Sequence, residues 1–220
     1  MVEPINYIVI PGFEHHAYVT YTWVIMIGFM AMAVLLRGAM KIVPAGFHNV
    51  LETIVYELAQ FVDTILGHEG RKFFPLIGAL AFFILCANFI GLVPGCVSPT
   101  ANINTNIAMA LTVFLIYQYV GFSHHGIGYI KHFMGPVWWM VPLMLPIEVI
   151  SHLARPVTLA VRLFGNIRGE ELVILVLGFL IPLFLPMPMI AFAVFTSVLQ
   201  TLVFILLSMV YIAGALEESH

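Results

Sequence analysis

A permanent positive charge, Arg162, stands inside an otherwise apolar stretch, in the segment RPVTLAVRLFGNIRGEEL at positions 155–172. Charged side chains at bilayer depth cost at least about 2–3 kcal/mol each, and they usually pair with an opposite charge or face a water-filled cavity. A guanidinium keeps its charge there because its pKa lies above about 12. The segment therefore indicates a structural ion bridge or a site that handles charge inside a membrane.

Further polar groups share one face of the helix that this segment predicts. At about 100° per residue, the following lie within about 80° of Arg162: Arg155, Glu148, Asn166, His152 and Glu170. Glu171 falls on the opposite face, about 13 Å further along the axis. Carboxylates, an imidazole and an amide can relay protons or coordinate small cations, which favours an ion pathway. The alternative is a structural bridge from Arg162 to Glu148 or Glu170.

The surroundings of Arg162 predict close contact with other helices. The small residues Ala160, Gly165 and Gly169 would let another helix approach. The last apolar helix carries few polar groups, and Gln200 is the main hydrogen-bonding side chain in it. We therefore expect Gln200 to be the principal polar group that this helix offers.

Composition places the chain among integral membrane proteins. Of its 220 residues, 62% are hydrophobic and 9% are charged, whereas soluble domains carry roughly 25% charged residues. The net charge is −3 and no basic run indicates nucleic-acid binding. The two cysteines make neither a disulfide framework nor a metal site, and no GxxxxGK[ST] loop predicts a nucleotide site. We expect a single membrane domain over 1–220, with no metal, no cofactor and no cleaved signal peptide.

Hydrophobic blocks predict an all-α membrane protein. Five membrane-embedded helices are expected, at 18–36, 73–95, 104–121, 137–183 and 187–214. Residues 43–67 place acidic side chains between apolar ones at helical spacing, which predicts an amphipathic helix on the membrane surface or against a partner. The 137–183 helix is too long for one perpendicular span, so it must be tilted, kinked at Pro156 or partly in the membrane plane. The last two helices form a tilted hairpin over 137–214.

The distribution of lysine and arginine predicts orientation. Basic residues occur in the loops after the first and third spans, and none occurs between the second and third. By the positive-inside rule, the 37–72 and 123–132 loops face the cytoplasm. The N-terminus is then outside and the C-terminus cytoplasmic.

Several segments resemble one known family. The motif RLFGN at 162–166, followed by GEE at 169–171, closely resembles subunit a of F-type ATP synthases. Four further segments match the family in order: VPAGFHNVLETIVYELAQFV (43–62), ANFIGLVPG (87–95), PTANINTNIAMALTVF (99–114) and LQTLVFILLSMVYIAGALEE (199–218). The resemblance covers most of the chain.

This resemblance implies a stator beside a rotating ring of hairpin subunits, the c-ring. Two offset half-channels load and unload protons on the ring carboxylates, and the 137–214 hairpin faces the ring. Arg162 would stabilise the ionised carboxylate and block leakage between the half-channels. The expected partners are the c-ring, the peripheral stalk subunit b, the rest of the complex and the lipid bilayer, in a bacterial inner membrane. The chain would not be an enzyme by itself.

The same matching assigns roles to individual residues. Glu171, Asn166 and Gln200 would line the outward half-channel or support Arg162, and Glu148 would serve the cytoplasmic route, with His152 on the same stripe. Some bacterial relatives have a small residue before the glutamate and a histidine in the last helix. Here these positions hold Glu170 and Ala193, which suggests that Glu170 is a relocated proton relay.

Alternatives remain open at several positions. Glu170 could instead be a structural partner of Arg168 or His152, and Arg155 could support Glu148 or contact lipid headgroups. The Asn102–Asn106 cluster predicts either channel lining or a hydrated helix start. Two other classes of function remain open: a secondary transporter that binds an anion at Arg162, and a non-conducting assembly subunit.

Overall fold

The computed structural model describes residues 17–39, 47–93, 95–125, 141–180, 184 and 186–217. Within these residues the chain forms helices and no strand. The α-helices are α1 (Ala17–Ala39), α2 (Phe47–Leu66), α3 (Phe74–Gly91), α4 (Ile103–His125), α5 (Val141–Leu180) and α6 (Pro186–Glu217). Two short 3-10 helices, Gly67–Lys72 and Pro99–Ala101, precede α3 and α4. The prediction of an all-α membrane protein is confirmed.

Four of these helices are long and apolar enough to cross a membrane: α1, α3, α4 and α6. The fifth long helix, α5, carries the polar stripe around Arg162, which lowers its hydropathy. Its 40 residues extend over about 60 Å, roughly twice the hydrocarbon thickness of a bilayer. It therefore cannot cross the bilayer perpendicularly within the hydrocarbon, as expected from its length.

The long helices α5 and α6 pack against each other and against α4, and α3 packs against α6. One apolar core lies between α3, α4 and α5, and a second lies between α2, α3, α4 and α6. Leu163 and Phe204, which are almost fully buried, belong to the first core. The packing thus holds α5 and α6 side by side, with α4 against both of them.

The amphipathic helix α2 is only partly covered. Val62 and Leu66 near its end are buried against α3 and α6, whereas Val50 and Ile54 near its start are exposed. The exposed apolar side chains suit a membrane surface or a partner, as the sequence pattern predicts.

Several predicted boundaries differ from the observed ones by a few residues. Positions 43–46, 126–140 and 181–183, which include parts of the predicted 43–67 and 137–183 helices, lie outside the described residues, as does the N-terminus. Helix α5 continues through Pro146 and Pro156. Pro156 therefore does not end the helix, and the polar stripe predicted across it lies on one continuous element.

Candidate functional site

Arg162 lies at the border between the buried and the exposed faces of α5. Neighbouring side chains of α5 are buried against α3, α4 and Phe204 of α6, namely Leu159, Ala160, Leu163 and Ile167. The Arg162 side chain is exposed. Across the described part of the chain, no hydrogen bond or ion pair holds its guanidinium. The structural bridge to Glu148 or Glu170 that the sequence left open is therefore not formed.

The surface beside Arg162 has room for another helix. A Cβ atom added at Gly165 or Gly169 would meet no atom within 4 Å. The packing of this chain therefore does not require glycine at either position. Ala160, which the sequence grouped with these glycines, is instead 1% exposed and belongs to the core of the chain itself.

Asn166 and Gln200 meet between α5 and α6. The Asn166 side-chain amide donates to Gln200 Oε1 at 3.0 Å. Gln200 is 5% exposed, and its Nε2 has no hydrogen-bond partner among the described residues. A buried amide donor without a partner suits a site that water or another polar group reaches.

A second set of polar side chains, the loop network, is buried where α3 ends and α4 begins. Ser98 Oγ donates to the Ala87 carbonyl and lies 2.7 Å from Thr100 Oγ1, and that hydroxyl donates to Asn88 Oδ1 at 2.7 Å. The Asn106 amide donates to the Thr100 carbonyl, and the Asn88 amide donates to the Ser197 carbonyl of α6. The loop network consists of Asn88, Ser98, Thr100, Asn106 and Ser197.

Sequence reasoning missed Asn88, Ser98 and Thr100 in this network. A signal was present, because the stretch between the second and third spans is rich in Ser, Thr and Asn but has no charge. The two alternatives for the Asn102–Asn106 cluster, channel lining and a hydrated helix start, both stay predictions. Asn102 accepts from the backbone of Asn104 at the helix start, whereas Asn106 is buried in the loop network.

Position 91 needs glycine because Ser98 of the loop network packs closely against its backbone. An added Cβ would lie 2.6 Å from Ser98 Cβ, so Gly91→Ala should lower the free energy of unfolding by about 1–3 kcal/mol. The measurement is chemical denaturation of the detergent-solubilised chain. The matched control is Gly28→Ala in α1, where no atom lies within 4 Å and helix propensity should raise stability by up to about 1 kcal/mol. Equal shifts for both variants would contradict this assignment.

The neighbouring carboxylates Glu170 and Glu171 have different surroundings. Arg168 Nη1 donates to Glu171 Oε2 at 2.9 Å. Glu170 instead lies near Thr196 of α6, whose hydroxyl donates to the Phe192 and Ala193 carbonyls of its own helix. It is not the partner of Arg168, and His152 lies about 27 Å away along the same helix. Neither structural partner weighed from the sequence therefore holds Glu170.

At the other end of the polar stripe, five side chains form the histidine cluster: Glu148, His152, Arg155, Tyr117 and Tyr211. His152 is 3% exposed, and its Nε2 lies 3.2 Å from Glu148 Oε1. The Arg155 guanidinium lies over the rings of Tyr117 and Tyr211, at 5.8 and 5.2 Å from their centroids. Cation–π contact with these rings, rather than an ion pair with Glu148, holds Arg155.

Polar groups therefore lie on both sides of Arg162. His152 is about 15 Å away along the axis of α5 in one direction, and Glu171 is about 13 Å away in the other. Among the described residues, no three His, Cys, Asp or Glu side chains are grouped as a metal site would need. The arrangement suits transfer of protons or other small ions along two separate routes.

Known proteins match this chain over most of its length. The family model described as ATP synthase A chain matches residues 18–213. ATP synthase subunit a 1 of Syntrophotalea carbinolica is 50% identical, with 94% of this chain and 90% of the relative covered. The subunits a of Trichlorobacter lovleyi and Geobacter sulfurreducens are 48% and 45% identical, each over 92% of this chain and 88% of the relative. The chain belongs to the ATP synthase A chain family, the proton-translocating stator subunit of F-type ATP synthases, which is not catalytic by itself.

Proposed function

We propose that this chain provides two offset half-channels and that Arg162 separates them at the surface of the c-ring. The observation that carries the proposal is the exposed guanidinium of Arg162, which no described residue pairs with, beside the open surface at Gly165 and Gly169. A fixed cation with no partner among the described residues suits an anionic partner from another subunit. The ionised carboxylate of a ring hairpin is that partner.

The outward half-channel is assigned to Glu171, Glu170, Asn166 and Gln200. The hydrogen bond between Asn166 and Gln200 joins α5 to α6 near Arg162. The loop network lies next to this pair, because Ser197 precedes Gln200 by one turn of α6 and accepts from Asn88. Two buried atoms, Gln200 Nε2 and Ser197 Oγ, have no hydrogen-bond partner among the described residues, which supports a path that water fills.

The cytoplasmic half-channel is assigned to Glu148 and His152. The 3.2 Å contact between them supports proton exchange between a carboxylate and an imidazole. His152 and Glu148 lie about 15 and about 21 Å from Arg162 along α5, on the side away from Glu171, which supports two routes that do not meet directly. A proton then passes from one half-channel to the other only when it is bound to a carboxyl group of the rotating c-ring.

The same proposal sets location and neighbours. The N-terminus lies outside, the C-terminus lies in the cytoplasm, and the membrane is a bacterial inner membrane. The 137–214 hairpin faces the c-ring, and the peripheral stalk subunit b is the other membrane neighbour. The transported ion is the proton, the ion that the stator subunits of this family translocate.

Cross-linking tests whether the exposed face of α5 meets the ring. In the complete complex, Val161→Cys, at a side chain that is 54% exposed, should form a disulfide with a cysteine placed beside the ring carboxylate. The matched control is Leu163→Cys, two positions along the helix and 0% exposed, which should give no product. Equal product from both variants, or none from Val161→Cys in an assembled complex, would disprove this ring-facing surface.

A further inference from the structure

Tyr117 of α4 extends the contact between Glu148 and His152 into a row of three groups. Its hydroxyl lies 3.2 Å from His152 Nδ1 and 3.5 Å from the His152 carbonyl. The other ring nitrogen of His152 faces Glu148 at 3.2 Å. Tyr117 is 1% exposed and His152 is 3% exposed. A buried imidazole and a buried phenol thus meet across the α4–α5 interface, and the imidazole also contacts the Glu148 carboxylate, whose side chain is 32% exposed.

The neighbours of Tyr117 restrict where its hydroxyl can point. Phe114 packs edge-on against the Tyr117 ring with centroids 5.3 Å apart. Arg155 and Tyr211 contact the same ring from α5 and α6. Among the described residues, the titratable and charged groups around His152 and the Tyr117 ring include Glu148 and Arg155 of α5 and Tyr211 of α6.

A buried imidazole that gains and loses a proton needs hydrogen-bond partners in both states. The neutral ring has one donor and one acceptor, whereas the protonated ring has two donors. The Glu148 carboxylate lies at ion-pair distance from Nε2, at 3.2 Å, and can take up a proton from it. A phenol hydroxyl can donate to bare Nδ1 or accept from protonated Nδ1. Tyr117 is therefore a partner that can hydrogen bond to Nδ1 in either protonation state.

We propose that Tyr117 is a positioning residue for proton transfer through His152 in the cytoplasmic half-channel, an inference that rests on the proposed function. In the neutral ring Tyr117 donates to Nδ1, and Nε2–H donates to Glu148. When His152 Nδ1 takes up a proton that a c-ring carboxyl group has released, the Tyr117 hydroxyl rotates and accepts a hydrogen bond from the protonated Nδ1. The imidazolium then passes its Nε2 proton to the Glu148 carboxylate, which becomes a carboxylic acid and releases the proton to water. Exchange with water finally moves the remaining imidazole proton from Nδ1 to Nε2, which restores the starting form.

The test is Tyr117→Phe in the complete complex, with ATP-driven proton pumping measured in inverted vesicles from pH 6 to 9. Without the hydroxyl, the protonated ring loses a stronger hydrogen bond than the neutral ring loses. The alkaline limb of the pumping profile should therefore move by about one pH unit toward acid. Pumping at pH 8 should fall about three- to tenfold, with little change at pH 6.

The matched control is Tyr119→Phe on the same helix, at a side chain that is 73% exposed. It should keep the profile of the parent. An unchanged profile for Tyr117→Phe, or a loss of the same size at every pH, would overturn the inference, because a purely structural hydroxyl does not move a pH limb.

The same substitution in a His152→Gln complex separates an effect on proton transfer from an effect on packing. Glutamine at position 152 can hydrogen bond but does not titrate, so Tyr117→Phe should cause no further pH shift in a His152→Gln complex. A further shift there would overturn the inference. The proposed function is tested separately. If the Arg162→Ala complex pumps normally, the stator assignment is wrong. If the Arg162→Ala complex loses pumping and the Tyr117→Phe profile is unchanged, only the role of Tyr117 is wrong.

Discussion

ATP-driven proton pumping should fall by about 100-fold or more when Arg162 is replaced by alanine, while the complex still assembles. The side chain is exposed and has no ion pair with the described residues, so its removal breaks no bridge within the chain. What is lost is the charge that stabilises the ionised ring carboxylate at bilayer depth. The measurement is acidification of inverted vesicles, with ATP hydrolysis and subunit content followed in the same preparation.

Leakage gives a second readout of the same change. Without Arg162, protons should cross between the half-channels, so vesicles should hold an imposed pH gradient less well. Arg162→Lys should not restore full pumping, because a desolvated lysine can lose its charge. Arg71→Ala is the matched control, since Arg71 is 83% exposed and pairs with Asp63, an interaction worth about 0.2–1 kcal/mol. Normal pumping by an assembled Arg162→Ala complex would show that the gate assignment is wrong.

The fold class and the polar stripe follow from the sequence because they depend on local properties. Apolar length predicts spans, and helical spacing predicts which side chains share a face. Pro156 is the informative exception. A proline removes one backbone hydrogen bond, yet α5 continues through it. Packing against α4 and α6 outweighs that local loss, and sequence alone does not show the packing.

Contacts between helices were harder to predict, since they depend on the register of one helix against another. Asn166 and Gln200 were each singled out from the sequence, but their hydrogen bond needs the register of α5 on α6. The sequence does not indicate a functional role for Tyr117, because an aromatic residue in the apolar α4 helix is typical of a hydrophobic core. Its contact with His152 becomes visible only when α4 and α5 are packed together.

Glu170 shows how the structure refines a proposal that the sequence left open. Its neighbour Glu171 is held by Arg168, whereas Glu170 points toward Thr196 of α6. Ala193, the position at which some relatives carry histidine, lies one turn before Thr196 and is fully buried. The carboxylate of Glu170 therefore reaches the part of α6 from which an imidazole would otherwise act. This geometry supports Glu170, and not Glu171, as the relocated relay of the outward half-channel.

Glu170→Gln should accordingly lower ATP-driven pumping by about 10- to 100-fold. Glutamine keeps the size of the side chain and can still form hydrogen bonds, but it cannot take up and release a proton. Glu170→Asp keeps a titratable group on a shorter stem, so it should retain more activity than Glu170→Gln. Both variants are measured by acidification of inverted vesicles, with assembly verified by the amount of this subunit that copurifies with the ring.

Glu57→Gln on the exposed side of α2 is the control for the loss of one carboxylate, and it should pump like the parent. The comparison with Glu171→Gln shows which of the two carboxylates relays the proton and which only lines the half-channel. If Glu170 relays the proton, Glu170→Gln is the more severe variant, because Glu171 is already engaged by Arg168. If Glu170→Gln pumps normally and Glu171→Gln does not, the relay lies on the Arg168-paired carboxylate. The absence of a histidine at position 193 would then need a different compensation.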